Sequence, residues 1–340
     1  MNKILLSLLV VSLSSCEPQE IEIYLSQLHE AGKLNGNVLV AKKDEVIYER
    51  SYGYADPAKN GLLTKQHRFN VGSIYKEFPA VCILQLKERG MLSLDDRLRE
   101  FFPGLPAWAE EISVTHLLRY SSGLPRISWN TYFGQGINVT EEHIMADLKG
   151  IETLEFTPGS GYLYTNYSPI LLIKIVEKIS GKTFNEYLKE NIFTPHQITS
   201  IVLKEQFPYQ DTTLMAIPFN EEFQPDGYKI KVPYLLLSAT TRDMYQWLKE
   251  LHAFKILTKE SVQFLSQDAG TGDDLQSPLG HCQWENEQVI EHSHHGSSGS
   301  YECLVTYWPQ EELTIIILTN QKHRNLREIS GRIKEMTNRL

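Results

Sequence analysis

The stretch Phe69-Asn-Val-Gly-Ser73-Ile-Tyr-Lys76-Glu-Phe-Pro-Ala-Val-Cys-Ile-Leu-Gln-Leu86 decides the reading of this chain. A short apolar lead-in and a glycine precede a run whose spacing predicts a helix. Ser73 and Lys76, three residues apart, then share one face. Free backbone N–H groups and the positive end of the dipole at a helix start favour negative charge there. A serine hydroxyl becomes a nucleophile when a base stands beside it, and a lysine can be that base. Taken alone, the pair reads equally as an N-capping serine and a solvated first-turn lysine. Ser73 is, however, the only serine in the chain followed by lysine three positions on. The helix is expected to stop at Gly90, with Pro79 bending it rather than breaking it.

Outward from this stretch, residues 20–34 carry Ile21, Tyr24, Leu25 and Leu28 on one helical stripe. Residues 36–42 and 46–52 read as two strands of a hairpin around Lys43-Asp-Glu45. On the far side, residues 114–120, 167–179 and 183–192 are helical. Residues 126–139 read as irregular and carry Trp129, Tyr132 and Phe133. Strand-like runs return at 302–308 and 313–320, followed by a last helix over 325–338. Strands at both ends with helices between them predict an α/β (α+β) fold. One antiparallel sheet is built from both chain ends and flanked by helices, with a mostly helical lobe inserted at roughly 92–251.

Residues 1–15 have the pattern of an export signal: Lys3, then an apolar run too short to span a bilayer. Leu13-Ser-Ser-Cys16 resembles the bacterial lipobox, which implies cleavage before Cys16, lipid on its sulfur and a place in the cell envelope, periplasmic or surface-exposed. The mature domain is then 16–340, and its partners are a small-molecule or peptide substrate and a membrane reached through the lipid. Cys82, Cys282 and Cys303 remain, an odd number that gives no disulfide framework, though a Cys282–Cys303 bridge stays open. The charge of −9 and the lack of a basic tract exclude a nucleic-acid-binding protein.

Two further stretches carry chemistry. Gly159-Ser-Gly-Tyr-Leu-Tyr164-Thr-Asn166 is a glycine-rich turn before an apolar helix. A phenol near an ammonium can shuttle protons, and Asn166 can bind an amide. The alternative is an aromatic core residue and a helix cap. Glu291-His-Ser-His-His-Gly-Ser-Ser-Gly-Ser-Tyr301 reads as a strand with His292 and His294 on one face and His295 on the other. It could serve as a substrate-binding strand, a polar hairpin or a metal site. Spacing offers these histidines no carboxylate or imidazole partner elsewhere, so no metal and no cofactor is expected.

Ser73-x-x-Lys76, Tyr164-x-Asn166 and His294-His-Gly296, in that order, resemble the three motifs of the serine β-lactamase and penicillin-binding protein superfamily. The tyrosine in the second motif resembles the class C branch. Leu117-Leu-Arg-Tyr-Ser-Ser-Gly-Leu124 and Phe156-Thr-Pro-Gly159 extend the likeness. The resemblance implies a serine hydrolase acting through an acyl-enzyme, as an esterase, DD-peptidase or β-lactamase. In it Ser73 is the nucleophile, Lys76 its base and Tyr164 a proton shuttle. The N–H groups of Ser73 and Ser297 form the oxyanion hole, and Asn166, His294, Gly296 and Ser297 bind substrate. His294 stands where many members carry lysine, which shifts the expectation toward esters and peptides and away from efficient β-lactam hydrolysis. Tyr120 stands in place of a usual histidine, and Pro195-His-Gln-Ile198 in place of Pro-Leu-Gly-Met. These departures leave a non-catalytic ligand-binding lipoprotein on the same fold as the alternative.

Overall fold

Apolar residues that alternate between two faces build the central sheet. The computed structural model describes residues 17–204, 209, 213–227, 229–273 and 275–338. The signal segment and Cys16 lie outside them. Among the described residues the strands are β1 (Gly36–Lys42), β2 (Glu45–Tyr52), β3 (Phe69–Asn70), β4 (Val202–Leu203), β5 (Leu237–Ala239), β6 (His281–Glu285), β7 (Gln288–Ser298), β8 (Tyr301–Trp308) and β9 (Leu313–Thr319). Six form one sheet in the order β2-β1-β9-β8-β7-β6, and β3, β5 and β4 form a small second one. In the large sheet every neighbouring pair is antiparallel, and β1 lies directly on β9, from Gly36 opposite Thr319 to Lys42 opposite Leu313. The two chain ends therefore meet at its centre, as the strand pattern predicts.

Both faces of this sheet are covered. Val38, Val40, Ile315 and Ile317 point toward α1 (Glu17–Glu30) and the C-terminal helix Leu326–Thr337, where Ile21, Leu25, Ile329 and Ile333 complete a core. Leu39, Ile316 and Leu318 point the other way, into the larger core shared with α2 (Glu77–Glu88) and the helical region. The period of two along each strand makes this division. The hairpin turn is tighter than expected, because Lys43 and Asp44 both adopt positive φ and Glu45 already belongs to β2.

The predicted nucleophile helix is two elements. Gly72–Lys76 is a turn of 3-10 helix, and α2 begins only at Glu77. This disposes of the difficulty at Pro79. It sits in the first turn of α2, where its missing N–H has no intrahelical carbonyl to serve, so no bend is required. Residues 126–139 are also more ordered than their sequence suggested, with Trp129–Gly134 a helix. Tyr167–Ser180 packs along α2 and holds the inserted region to the sheet domain. Cys82, Cys282 and Cys303 are all buried free thiols, so the bridge left open by the sequence is not formed.

Candidate active site

Ser73 and Lys76 meet as the sequence proposed, but on a tighter turn. In a 3-10 helix residues i and i+3 eclipse one another, and Lys76 Nζ donates to Ser73 Oγ at 3.1 Å. Lys76 is buried. Its ammonium lies 4.8 Å from the ring centre of Tyr75 and 4.9 Å from that of Tyr164, so two aromatic faces flank it. The second-motif tyrosine is thus brought to the pair from more than eighty residues away. Tyr120, which takes the place of the usual histidine, packs its ring 4.9 Å from that of Tyr164. Burial and the neighbouring Tyr164 hold the Tyr120 phenol well above its ordinary pKa. Gln197, at the usual glycine position of the other departure, adopts φ 57, and His196 beside it bonds Glu250 at 2.9 Å.

Two glycines bring the third motif against this turn. Gly72 has φ +55, and a Cβ there would lie 2.3 Å from the backbone nitrogen of Ser297. A Cβ on Gly296 would lie 1.9 Å from the carbonyl oxygen of Val71. Backbone meets backbone only because neither residue has a side chain. Gly296, predicted as a substrate contact, is therefore first a packing residue. Its absent side chain sets Ser297 N–H beside the nucleophile turn.

A cleft of about 240 Å³ opens over Ser73, lined by Trp129 and Phe133 on one side and by Ile230 and Leu235, with Asn166, Ser297 and Ser298 as polar groups. Trp129 and Phe133 stack with 15° between their planes. Tyr75 also contributes to the lining, whereas Tyr132 turns away and donates to Asp147 at 2.6 Å. Asn166 occupies the cap position of the Tyr167–Ser180 helix but makes no side-chain cap bond. Its amide is left to the cleft.

His294 departs from its predicted role. It is buried, and its Nδ1–H donates to Glu77 Oε1 at 2.6 Å behind the nucleophile turn. Glu77, overlooked in the sequence, gathers the whole cluster. His292 Nε2–H also donates to Oε1, at 3.1 Å, and Trp247 Nε1–H donates to Oε2 at 2.6 Å. His252 Nε2 and His292 Nδ1 then share a hydrogen bond at 2.7 Å. These donor assignments follow from a carboxylate being acceptor-only. Burial alone would raise the Glu77 pKa, but His292 and His294 outweigh it and hold the carboxyl far below the usual range. Burial lowers the His294 pKa against the opposing pull of Glu77, and it lowers that of His252 further. His295 faces the other way and donates to Glu302 at 2.9 Å, the alternation expected of a strand.

The donor atoms of Glu77, His292 and His294 lie within 4.8 Å of one another, so the fold supplies the partner that spacing did not. The closest pair, 2.6 Å apart, is at hydrogen-bond distance. Two ligands of one tetrahedral ion at about 2.0–2.1 Å would stand about 3.3 Å apart. As arranged, the cluster is a hydrogen-bonded network.

The comparisons with known proteins agree with this architecture. The family model "Beta-lactamase" matches residues 24–335. Penicillin-binding protein 4* of Bacillus subtilis (strain 168) is 23% identical over 331 residues, covering 89% of this chain and 72% of that protein. Across that relative, the Staphylococcus aureus protein flp and the putative penicillin-binding protein PbpX of B. subtilis, the chain spans 64% to 78% of the relative's length. Among solved structures, a penicillin-binding protein from Bacillus halodurans superposes with a TM-score of 0.77 at 21% identity, over 92% of this chain and 99% of that one. A class C beta-lactamase superposes with a TM-score of 0.77 at 17% identity, over 96% and 98%.

Proposed function

The chain belongs to the beta-lactamase family, a family of serine hydrolases, and from that premise we propose that it hydrolyses an ester, an amide or a D-amino-acid peptide through an acyl-enzyme on Ser73. The observation that carries this reading is the 3.1 Å contact between Lys76 Nζ and Ser73 Oγ at the floor of the cleft. In its free-amine form Lys76 takes the proton that Ser73 loses, across the same contact. As Oγ bonds the substrate carbonyl carbon, the carbonyl oxygen takes up charge. The N–H groups of Ser73 and Ser297 stabilise it, each such donor lowering the barrier by about 2.7–4 kcal/mol. Tyr164, packed over Lys76, gives its phenolic proton to the leaving group and is reprotonated from Lys76, and the reverse path activates water to release the acyl group. Asn166 orients the substrate amide.

Labelling with a fluorophosphonate or a penicillin, followed by peptide mass spectrometry, tests the proposal. We expect one adduct, on Ser73, and loss of ester turnover by about a thousandfold or more in Ser73→Ala. Folded protein that takes no label and turns over neither p-nitrophenyl esters nor D-Ala peptides would leave only the ligand-binding alternative. The sequence around Cys16 supports export and a lipid anchor, and no helix among the described residues is long and apolar enough to cross a membrane. Metabolic labelling with palmitate should mark the full chain and not Cys16→Ala.

A further inference from the structure

Lys322 stands in the loop after β9, and its ammonium donates to Ser297 Oγ at 2.6 Å. Ser297 lines the cleft together with Ser73, and Lys322, which is not itself a lining residue, reaches the cleft through that hydroxyl. Glu302, the carboxylate near enough to feel Lys322, is already committed. Its Oε1 accepts from His295 at 2.9 Å and its Oε2 from the Arg324 N–H at 2.7 Å. The ammonium thus bonds a neutral hydroxyl rather than an anion. His294, at the position where the family resemblance implies a lysine in many members, is buried and bonded to Glu77 instead. The residues lining the cleft include Lys76 and no acid.

We propose that Lys322, not His294, is the selecting cation of this site, and that it holds a carboxylate carried by the substrate beside the scissile carbonyl. This inference rests on the Ser73 acyl-enzyme reading and narrows it to acyl donors that bear an anionic group. A carboxylate-bearing acyl donor is then held although His294 stands at the third-motif position. A hydrogen bond to a charged group is worth enough to change discrimination about tenfold to a hundredfold.

The test compares aryl acetates whose leaving group carries either a 3-carboxylate or a neutral 3-carboxamide. The ratio of their kcat/KM values is measured for the wild type, Lys322→Met, Lys322→Arg and His294→Asn. Intrinsic reactivity cancels when ratios are compared between proteins. The wild-type ratio should favour the carboxylate and shrink with added salt. It should fall about tenfold or more in Lys322→Met and be largely kept in Lys322→Arg. An equal ratio in wild type and Lys322→Met, or a loss confined to His294→Asn, overturns the proposal. If neither ester is turned over and Ser73 takes no label, the acyl-enzyme reading has failed instead. Calorimetric binding of 3-acetamidobenzoate against 3-acetamidobenzamide still decides the Lys322 proposal in that case. A carboxylate preference that disappears in Lys322→Met supports it, and the same preference in both proteins overturns it.

Discussion

Lys76 and Glu77 are neighbours in the chain, both are buried, and they face opposite ways. Lys76 looks into the cleft, where it meets one hydroxyl and two aromatic faces. Glu77 looks back into the sheet, where three N–H donors converge on its two oxygens. The front is a set of groups with capacity left for a ligand. The back is a set whose carboxylate is bonded on every side. The contrast teaches why polar residues one peptide apart have different prospects. A buried carboxylate with matched donors stabilises and fixes a strand, while an amine beside a hydroxyl at an open cleft is free to exchange protons.

The seam between the two regions is where this comparison breaks most readily. In Gly296→Ala the new methyl would press on the Val71 carbonyl and displace β7 from the nucleophile turn. A shift on the order of 1 Å can cost about a hundredfold in rate. Ester kcat/KM should therefore fall by about that factor or more, as measured by steady-state kinetics on protein whose fold is verified by circular dichroism. Unchanged kinetics would mean that front and back are not coupled through this contact.

The back can be broken on its own. Glu77→Gln removes the charge that the buried imidazoles were arranged around, and we expect a loss of about 3–5 kcal/mol in denaturant unfolding. The pH dependence sharpens the point. Glu77, His252 and His294 all have folded pKa values below their unfolded ones. Each contributes stability that is present above its unfolded value, about 6.5 for histidine and 4.3 for glutamate, and that is lost as pH falls. The wild-type Tm should thus drop on acidification below about pH 6.5. The gap between wild type and Glu77→Gln should narrow only below about pH 4.3. A gap that stays constant down to pH 3 would show that the carboxylate is not the member being titrated.

The smallest effect is expected at the cleft wall. Trp129→Ala removes one ring of the stacked pair, and KM for a bulky aryl ester should rise by about threefold to tenfold, with little change for an acetate ester. Equal changes for both esters would place Trp129 in local packing rather than in substrate contact.

How much of this was legible in the sequence follows from which signals are local. The hairpin of β1 and β2, the β8 and β9 strands and the Tyr167–Ser180 helix announce themselves by period and by turn residues. Ser73 and Lys76 are close in sequence, so their meeting could be read directly. The 3-10 turn could not, because an i,i+3 pair fits either helix type. The small sheet joins two- and three-residue strands from positions as distant as Phe69 and Ala239, too short to show any period. Glu77 was invisible for a different reason. Nothing in the spacing of His292 and His294 says which helix start will face them across two hundred residues. The same holds for Lys322, which reads as a surface lysine until β9 delivers it to Ser297. Recognisable motifs showed where catalysis is to be sought. They did not show which cation would serve it, because the third-motif position is held by an imidazole that folds away to the back.

The pairing of β1 with β9 has a consequence for how the molecule is made. The strand at residues 36–42 has its central partner at residues 313–319, so the sheet cannot close until almost the whole chain has been synthesised. Such long-range pairing slows folding. A growing chain therefore stays unfinished until its last strand is released, and a carrier or translocation channel that captures it before then competes with an incomplete sheet rather than a native one.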